Sequence, residues 1–338
     1  MTHSLAGRFE RYRPLVIDEM RAVVGDDTTR LSAWMRYHLG WEDAAGRPLD
    51  GASGKLLRPS ALLLATELVG GSIEEALPAA AAVELVHNFS LLHDDVEDRS
   101  ERRHGRPALW TFAGVPQAIN TGDGMYTLAR LAMHRLLEAG LEERRVLESM
   151  RELDEACLRL VEGQYLDISF EDRNDVTRAE YLAMTAGKTA AMFSAPFAIG
   201  ALLGGASGDL VTAFREFGYH VGLAFQAMDD ILGIWGEPEV TGKPVGDDLA
   251  SRKMTYPVIA AMASSAVGAA LVEAYADPAA TVESLRELVV QGEGRTHTEH
   301  FMQSAVESAL AALGAAALSP AAEALFEEFA RLAAARVR

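Results

Sequence analysis

The sequence is as informative in what it lacks as in what it holds. It has one cysteine, Cys157, so an internal disulfide framework is excluded and a reducing, cytoplasmic setting is expected. Aromatic residues make up only 7% of the chain, and there is little of the apolar–polar alternation that strands require. Ala-rich runs stand in their place and point to one all-α body. Positive charge is also scarce: 31 Lys and Arg against 49 Asp and Glu leave a formal net charge of −18. Nucleic acid is bound through basic patches, so it is excluded as a partner. No signal peptide is expected, because Arg8, Glu10, Arg11, Arg13, Asp18 and Glu19 interrupt the opening segment. No apolar run reaches the ~18 residues of a membrane span; Ala190 to Gly204 is interrupted by Ser194 and Pro196. No transmembrane segment is therefore expected. The 338 residues are read as a single domain, 1–338. A helical lead-in (1–47) precedes a motif-bearing core (51–257) and C-terminal helices (258–338).

The strongest feature present is Leu85 to Pro107, LVHNFSLLHDDVEDRSERRHGRP. An apolar helical run delivers Asp94, Asp95, Glu97 and Asp98, and Arg99, Arg102, Arg103 and Arg106 follow. Residues four apart share a helix face, so Asp94 and Asp98 project together. Negative charge at a helix C-terminus opposes the macrodipole, so something must compensate it. One reading is a solvated charge run that ends a helix. The other is a hard-cation site in which substrate phosphates complete the shell around Mg2+. His87, two turns before Asp94, lies on the same face.

A second stretch, Phe225 to Pro257, repeats the design. An apolar helix delivers Asp229 and Asp230 with Gln226 one turn earlier, and a Pro- and Gly-containing loop adds Lys243, Asp247, Asp248 and Lys253. Long charged loops of this kind are more often functional than incidental. Two such helix ends favour a bridged metal–diphosphate site over two solvated faces. Elsewhere, Gly51 to Pro59 places Lys55 and Arg58 at a helix entrance, where they either bind an anion or form an ordinary basic start. Thr177 and Glu180 read as a capping box. Gly122 and Gly124 imply close packing within a helix opened by Pro116, and Pro196 predicts a kink or break.

Together these residues resemble the trans-isoprenyl diphosphate synthases, the polyprenyl synthetase family. The resemblance covers roughly Gly51 to Pro257. It rests on Gly54-Lys-x-x-Arg-Pro59, the aspartates at 94–98 with Arg103, and Gly163-Gln-x-x-Asp167. Lys188-Thr189, Phe225-Gln-x-x-Asp-Asp230 and the 243–253 loop complete it. It implies an all-α bundle around a central cavity, a homodimer, and head-to-tail condensation of an allylic diphosphate with isopentenyl diphosphate. By the same resemblance Asp94, Asp95, Asp98 and Asp229 ligate Mg2+ with Asp230 assisting, three ions in all once substrate is bound. Arg103, Lys188, Lys243 and Lys253 hold the allylic diphosphate. Lys55, Arg58, His87 and His104 hold isopentenyl diphosphate, and Thr189 and Gln226 steady the carbocation. Mg2+ held this way is an electrostatic catalyst of ionisation.

Two positions depart from the family's pattern. Gly233 stands where a third aspartate is common, and His104 where a second arginine is usual. They motivate an alternative, a class I terpene cyclase-like enzyme acting on one allylic diphosphate. A non-catalytic subunit homologue is the remaining alternative. Phe89 and Ser90, just before the first aspartates, resemble a chain-length floor, implying a product near geranylgeranyl diphosphate, with farnesyl diphosphate next.

Overall fold

The structure, a computed structural model, describes residues 4–49, 54–171, 173–238, 244–314, 316 and 318–335. It divides into two compact units, Met1–Asp154 with Pro196–Val211, and Glu155–Ala195 with Thr212–Arg338. Both are helical, as composition led us to expect.

In the first unit, α1 (Leu5–Val24), α2 (Arg30–His38) and α3 (Leu57–Leu68) precede the long α4 (Ile73–Glu97). Ser72 caps α4 by accepting from the Glu75 amide, and Glu74 and Glu75 in its first turn suit the positive end of its dipole. Alanines and Val83, Leu85 and Val86 are fully buried around its middle, so α4 is a central helix rather than a one-sided amphipathic one. It packs on α6 (Val115–Glu138), and Gly122 makes the approach possible: a Cβ there would lie 2.3 Å from the His93 ring. Gly124 in the same way admits Met35.

Between α4 and α6 the chain departs from all-helical expectation. Arg102–Arg103 pairs antiparallel with Arg106–Pro107, and the connection is His104-Gly105 with φ of 50° and 75°. Two positive φ values in a two-residue loop are the turn that matches strand twist. A short helix, α5 (Trp110–Ala113), follows.

α7 (Glu143–Ser169) leads to α8 (Arg178–Thr185), which opens with the expected Thr177–Glu180 capping box. A π-helical turn at Ala186–Ala190 joins α8 to α9 (Ala191–Leu203). Pro196 lies within α9 and does not break it; the irregularity falls at the π turn instead. Arg178–Leu203 is long and apolar enough to cross a membrane by composition alone, but 83% of its most apolar window is buried inside the protein, as in a core helix.

In the second unit, α10 (Gly208–Trp235) carries the second aspartate pair. Phe214 and Phe217 on α10 pack edge-on against Phe326 of the last helix, Pro320–Ala335. A separate core gathers Ile234, Leu249, Tyr256, Val258, Leu271 and Leu285.

Candidate active site

At the end of α4, Asp98 is the exposed C-cap, Asp94 is half-buried, and Asp95 is buried. The hairpin folds Arg103 back so that Nε and Nη2 both donate to Asp95 Oδ1, at 2.9 and 2.6 Å. The charge burden on the helix end is thus partly met by the arginine that follows it in sequence. Burial pushes the Asp95 carboxyl up against the opposing pull of Arg103, and Asp98 adds repulsion. Asp95 Oδ2 is buried without a hydrogen-bond donor, an unmet acceptor of the kind a cation satisfies.

Deeper along α4, Arg58 Nη1 lies 3.3 Å from His87 Nε2. Burial and the Arg58 charge hold His87 well below its ordinary value, so it is a neutral imidazole. Lys55 is exposed just before α3. Asn88 donates to the Glu84 carbonyl and carboxylate, at 2.8 and 3.1 Å. Burial raises Glu84, opposed by Arg58. His104 is lowered by burial and by Arg103 and Arg106. The Phe89 ring stands edge-on to His93 and Tyr126 at 5.6 and 5.2 Å, and Ser90 Oγ donates to the His87 carbonyl.

In the second unit, α7 and the π turn cross backbone to backbone. A Cβ on Gly163 would lie 2.1 Å from the Lys188 nitrogen, and one on Gly187 would lie 2.5 Å from the Arg159 carbonyl oxygen. Only glycines allow this approach. It sets Lys188 Nζ 2.5 Å from Asp167 Oδ2, with Lys253 Nζ 3.7 Å from the same oxygen. Burial pushes Asp167 up, but Lys253 and Lys188 outweigh it and leave the carboxyl below its ordinary value. The next residue of the turn, Thr189, donates through Oγ1 to Gln226 Oε1 at 2.6 Å, and Gln226 Nε2 donates to Asp230 Oδ1 at 2.9 Å. Asp230 Oδ2 accepts from the Tyr181 hydroxyl (2.6 Å) and the Tyr256 amide (2.8 Å). Burial raises Asp230 to about 7 despite these three donors. Asp229, its neighbour, is half-buried.

The predicted residues therefore fall into three local groups: the α4 end with Arg103; Arg58 with His87; and Asp167 with Lys188 and Lys253 beside the Thr189–Gln226–Asp230 chain. Lys243 lies outside the described residues. Among the described residues, no three His, Cys, Asp or Glu side chains converge on one metal position. Sequence reasoning assigned no role to Tyr181, whose buried hydroxyl anchors Asp230. A tyrosine on the inner face of a capped helix gave no sign of its partner 49 residues away.

Comparison with known proteins identifies the family. The polyprenyl synthetase family pattern matches residues 43–291. The chain is 42% identical over 295 residues to geranylgeranyl diphosphate synthase of Mycobacterium tuberculosis, covering 86% of this chain and 83% of that protein. It is 47% identical over 233 residues to (2E,6E)-farnesyl diphosphate synthase of Mycobacterium bovis, covering 68% of this chain and 64% of that protein. The crystal structure of polyprenyl synthetase from Streptomyces coelicolor A3(2) superposes with a TM-score of 0.90 at 37% identity, over 98% of this chain and 99% of that one. The chain belongs to the polyprenyl synthetase family of trans-isoprenyl diphosphate synthases.

Proposed function

We propose that the chain is a Mg2+-dependent trans-prenyltransferase that condenses an allylic diphosphate with isopentenyl diphosphate, with geranylgeranyl diphosphate as product and farnesyl diphosphate as the next choice. The relatives named for those two products support the product class. A polyprenyl synthase from Caulobacter crescentus, 28% identical with a TM-score of 0.81, is complexed with calcium and isoprenyl diphosphate, which supports a divalent-cation requirement. The observation that carries the condensation reading is the Arg58–His87 pair. It provides a cationic group and a neutral imidazole donor apart from the aspartates, as a second diphosphate requires and a cyclase does not.

In this reading Asp94, Asp95, Asp98 and Asp229 hold Mg2+ together with diphosphate oxygens, and the unmet Asp95 Oδ2 fits that duty. Mg2+ held by these carboxylates would neutralise the diphosphate leaving group and so favour ionisation of the allylic bond. Arg103 and Lys188, with Lys253 and Lys243, bind the allylic diphosphate. Lys55, Arg58, His87 and His104 bind isopentenyl diphosphate. Thr189 Oγ1 and Gln226 Oε1 present oxygen dipoles to the developing cation, and the departing diphosphate takes the final proton. Asp230, with its oxygens engaged by Tyr181, Tyr256 and Gln226, assists by orienting Gln226 and the helix end. The whole chain acts as one catalytic domain. It works as a homodimer, for which the exposed Leu147, Leu158, Val161 and Tyr165 of α7, spaced along one face, provide an apolar stripe.

The deciding experiment is product analysis of the purified chain with Mg2+, isopentenyl diphosphate and each allylic primer in turn. Elongated prenyl diphosphates are expected. Hydrocarbon from an allylic diphosphate alone, with no elongation, supports the cyclase alternative instead. Leu158→Glu should shift the mass measured by light scattering from dimer to monomer.

A further inference from the structure

Tyr37 is buried near the end of α2, ahead of the residues that match the family pattern. Its contacts run to the arginine hairpin and to the helix after it. The hydroxyl donates to the Pro107 carbonyl at 2.8 Å, the Arg106 guanidinium lies over the ring at 4.7 Å, and Phe112 of α5 stands edge-on to it at 5.1 Å. Arg106 also donates to the His38 carbonyl through Nη2 (3.2 Å) and to the Glu42 carbonyl through Nη1 (3.5 Å). Its guanidinium is thus turned toward α2, while Arg102 Nη2 donates to the Gly105 carbonyl inside the loop at 2.6 Å.

α2 is a firm base for these contacts. Thr29 caps it by accepting from the Ser32 amide. Arg36 donates to the Glu42 carboxylate through Nε (2.6 Å) and to the carbonyls of Gly25 and Asp27 through Nη1 (3.3 and 3.1 Å). Met35 fills the space that Gly124 leaves on α6. The hairpin is the opposite case: it has two residues on each strand, and an isolated two-stranded ribbon is at best marginally stable in water. Its register carries the restraint onward. Arg106 is the cross-strand partner of Arg103, and Pro107 of Arg102, so fixing Arg106 and Pro107 on α2 also fixes Arg103, which grips Asp95 Oδ1 with two donors.

We infer that Tyr37 is a positioning residue of the reaction: by holding Arg106 and Pro107 on α2 it places Arg103, across the hairpin, between Asp95 and the allylic diphosphate. Tyr37 acts through Arg103 rather than by touching substrate. The helical lead-in, whose sequence carries no chemistry of its own, thereby takes part in turnover. The inference rests on the prenyltransferase reading above, in which Arg103 binds the allylic diphosphate, and extends it to a residue outside the family pattern.

The test is a double-mutant cycle in steady-state kinetics on the full chain, with Mg2+, saturating isopentenyl diphosphate and a varied allylic diphosphate, at a temperature where circular dichroism shows every variant folded. Tyr37→Ala is expected to lower kcat/KM for the allylic diphosphate by about 100-fold, the scale of displacing a binding group by about 1 Å from a remote position. Tyr37→Phe keeps the ring under Arg106 and loses one hydrogen bond, so a fall of about fivefold is expected. Tyr12→Phe removes another buried hydroxyl, one that donates to Glu67, and should leave kcat/KM within about twofold of wild type. The cycle with Arg103→Ala is decisive: once Arg103 is gone, removing Tyr37 should cost nothing more, because the two act as one unit. Equal losses with and without Arg103 make Tyr37 a purely structural residue, overturning the inference and leaving the prenyltransferase reading intact. A wild-type chain that elongates no allylic primer overturns both. If Tyr37→Ala does not fold, Arg106→Gln breaks the same link from the hairpin side, and its cycle with Arg103→Ala decides in the same way.

Discussion

Phe89 and Tyr181 are two buried aromatic side chains held in different ways. Phe89 offers only bulk, edge-on to His93 and Tyr126. Replacing it with alanine should lengthen the prenyl products, read by mass spectrometry, and cost about 3 kcal/mol or more of stability in a urea melt. Unchanged chain length would remove it as the floor. Tyr181 offers a hydrogen bond. Tyr181→Phe keeps the ring against Tyr256 and strips one of three donors from Asp230, so about 1–3 kcal/mol of stability should be lost. Turnover should fall with it as Gln226 loses its fixed partner. Restored turnover without restored stability, on adding substrate, would show that ligand can do the same orienting. The expectation for Phe89 came from its position relative to Asp94 in the sequence, which the product assay tests. Tyr181 was not legible, because a hydrogen bond across 49 residues leaves no local trace.

Among the elements, the aspartate-bearing helix ends could be read from their apolar runs, and helix starts from Pro116 and Thr177, whereas the Ser72 cap of α4 emerged only in the structure. The hairpin at 102–107 could not. Four arginines look like solvated charge, and only the left-handed pair His104-Gly105 betrays the turn. Nor could the π turn, which Pro196 drew attention away from. Its glycine contact with α7 makes a sharp prediction. Gly163→Ala places a methyl 2.1 Å from the Lys188 nitrogen, and backbone cannot yield as a side-chain tip can. A loss of about 1–3 kcal/mol is expected from overpacking. Because Lys188 moves with the turn, kcat/KM for the allylic diphosphate should fall by more than stability alone explains. An equal alanine insertion at exposed Gly208, where nothing lies within 4 Å, should do neither.

For the whole molecule, buried histidines decide how acid is tolerated. Burial, with Arg103, His104 and Arg106 nearby, holds His38 down to about 3 against an ordinary 6.5, with Asn88 giving some relief. His87, half-buried, is lowered too. A lowered histidine binds fewer protons folded than unfolded, so stability is full above about pH 6.5 and is lost as pH falls below it. At pH 5 the cost is about 2 kcal/mol for each histidine still neutral in the fold. Asp230 runs the other way: raised to about 7, it favours the fold below its unfolded value and weakens it as pH rises toward 7. Urea melts between pH 5 and 8 should show a steep acid limb, and His38→Gln should flatten it. A limb unchanged in that variant would assign the acid sensitivity to other groups.

The π turn also has a consequence for how this chain tolerates change in length. One extra residue in a helical turn rotates everything after it by about 100°, and here that rotation sends adjacent side chains to different neighbours, Lys188 to Asp167 on α7 and Thr189 to Gln226 on α10. Deleting a single residue between 186 and 190 would give a more regular helix with better hydrogen bonds. It would also turn one of the two side chains away from its partner, so at this point the sequence that folds most comfortably is not the sequence that works.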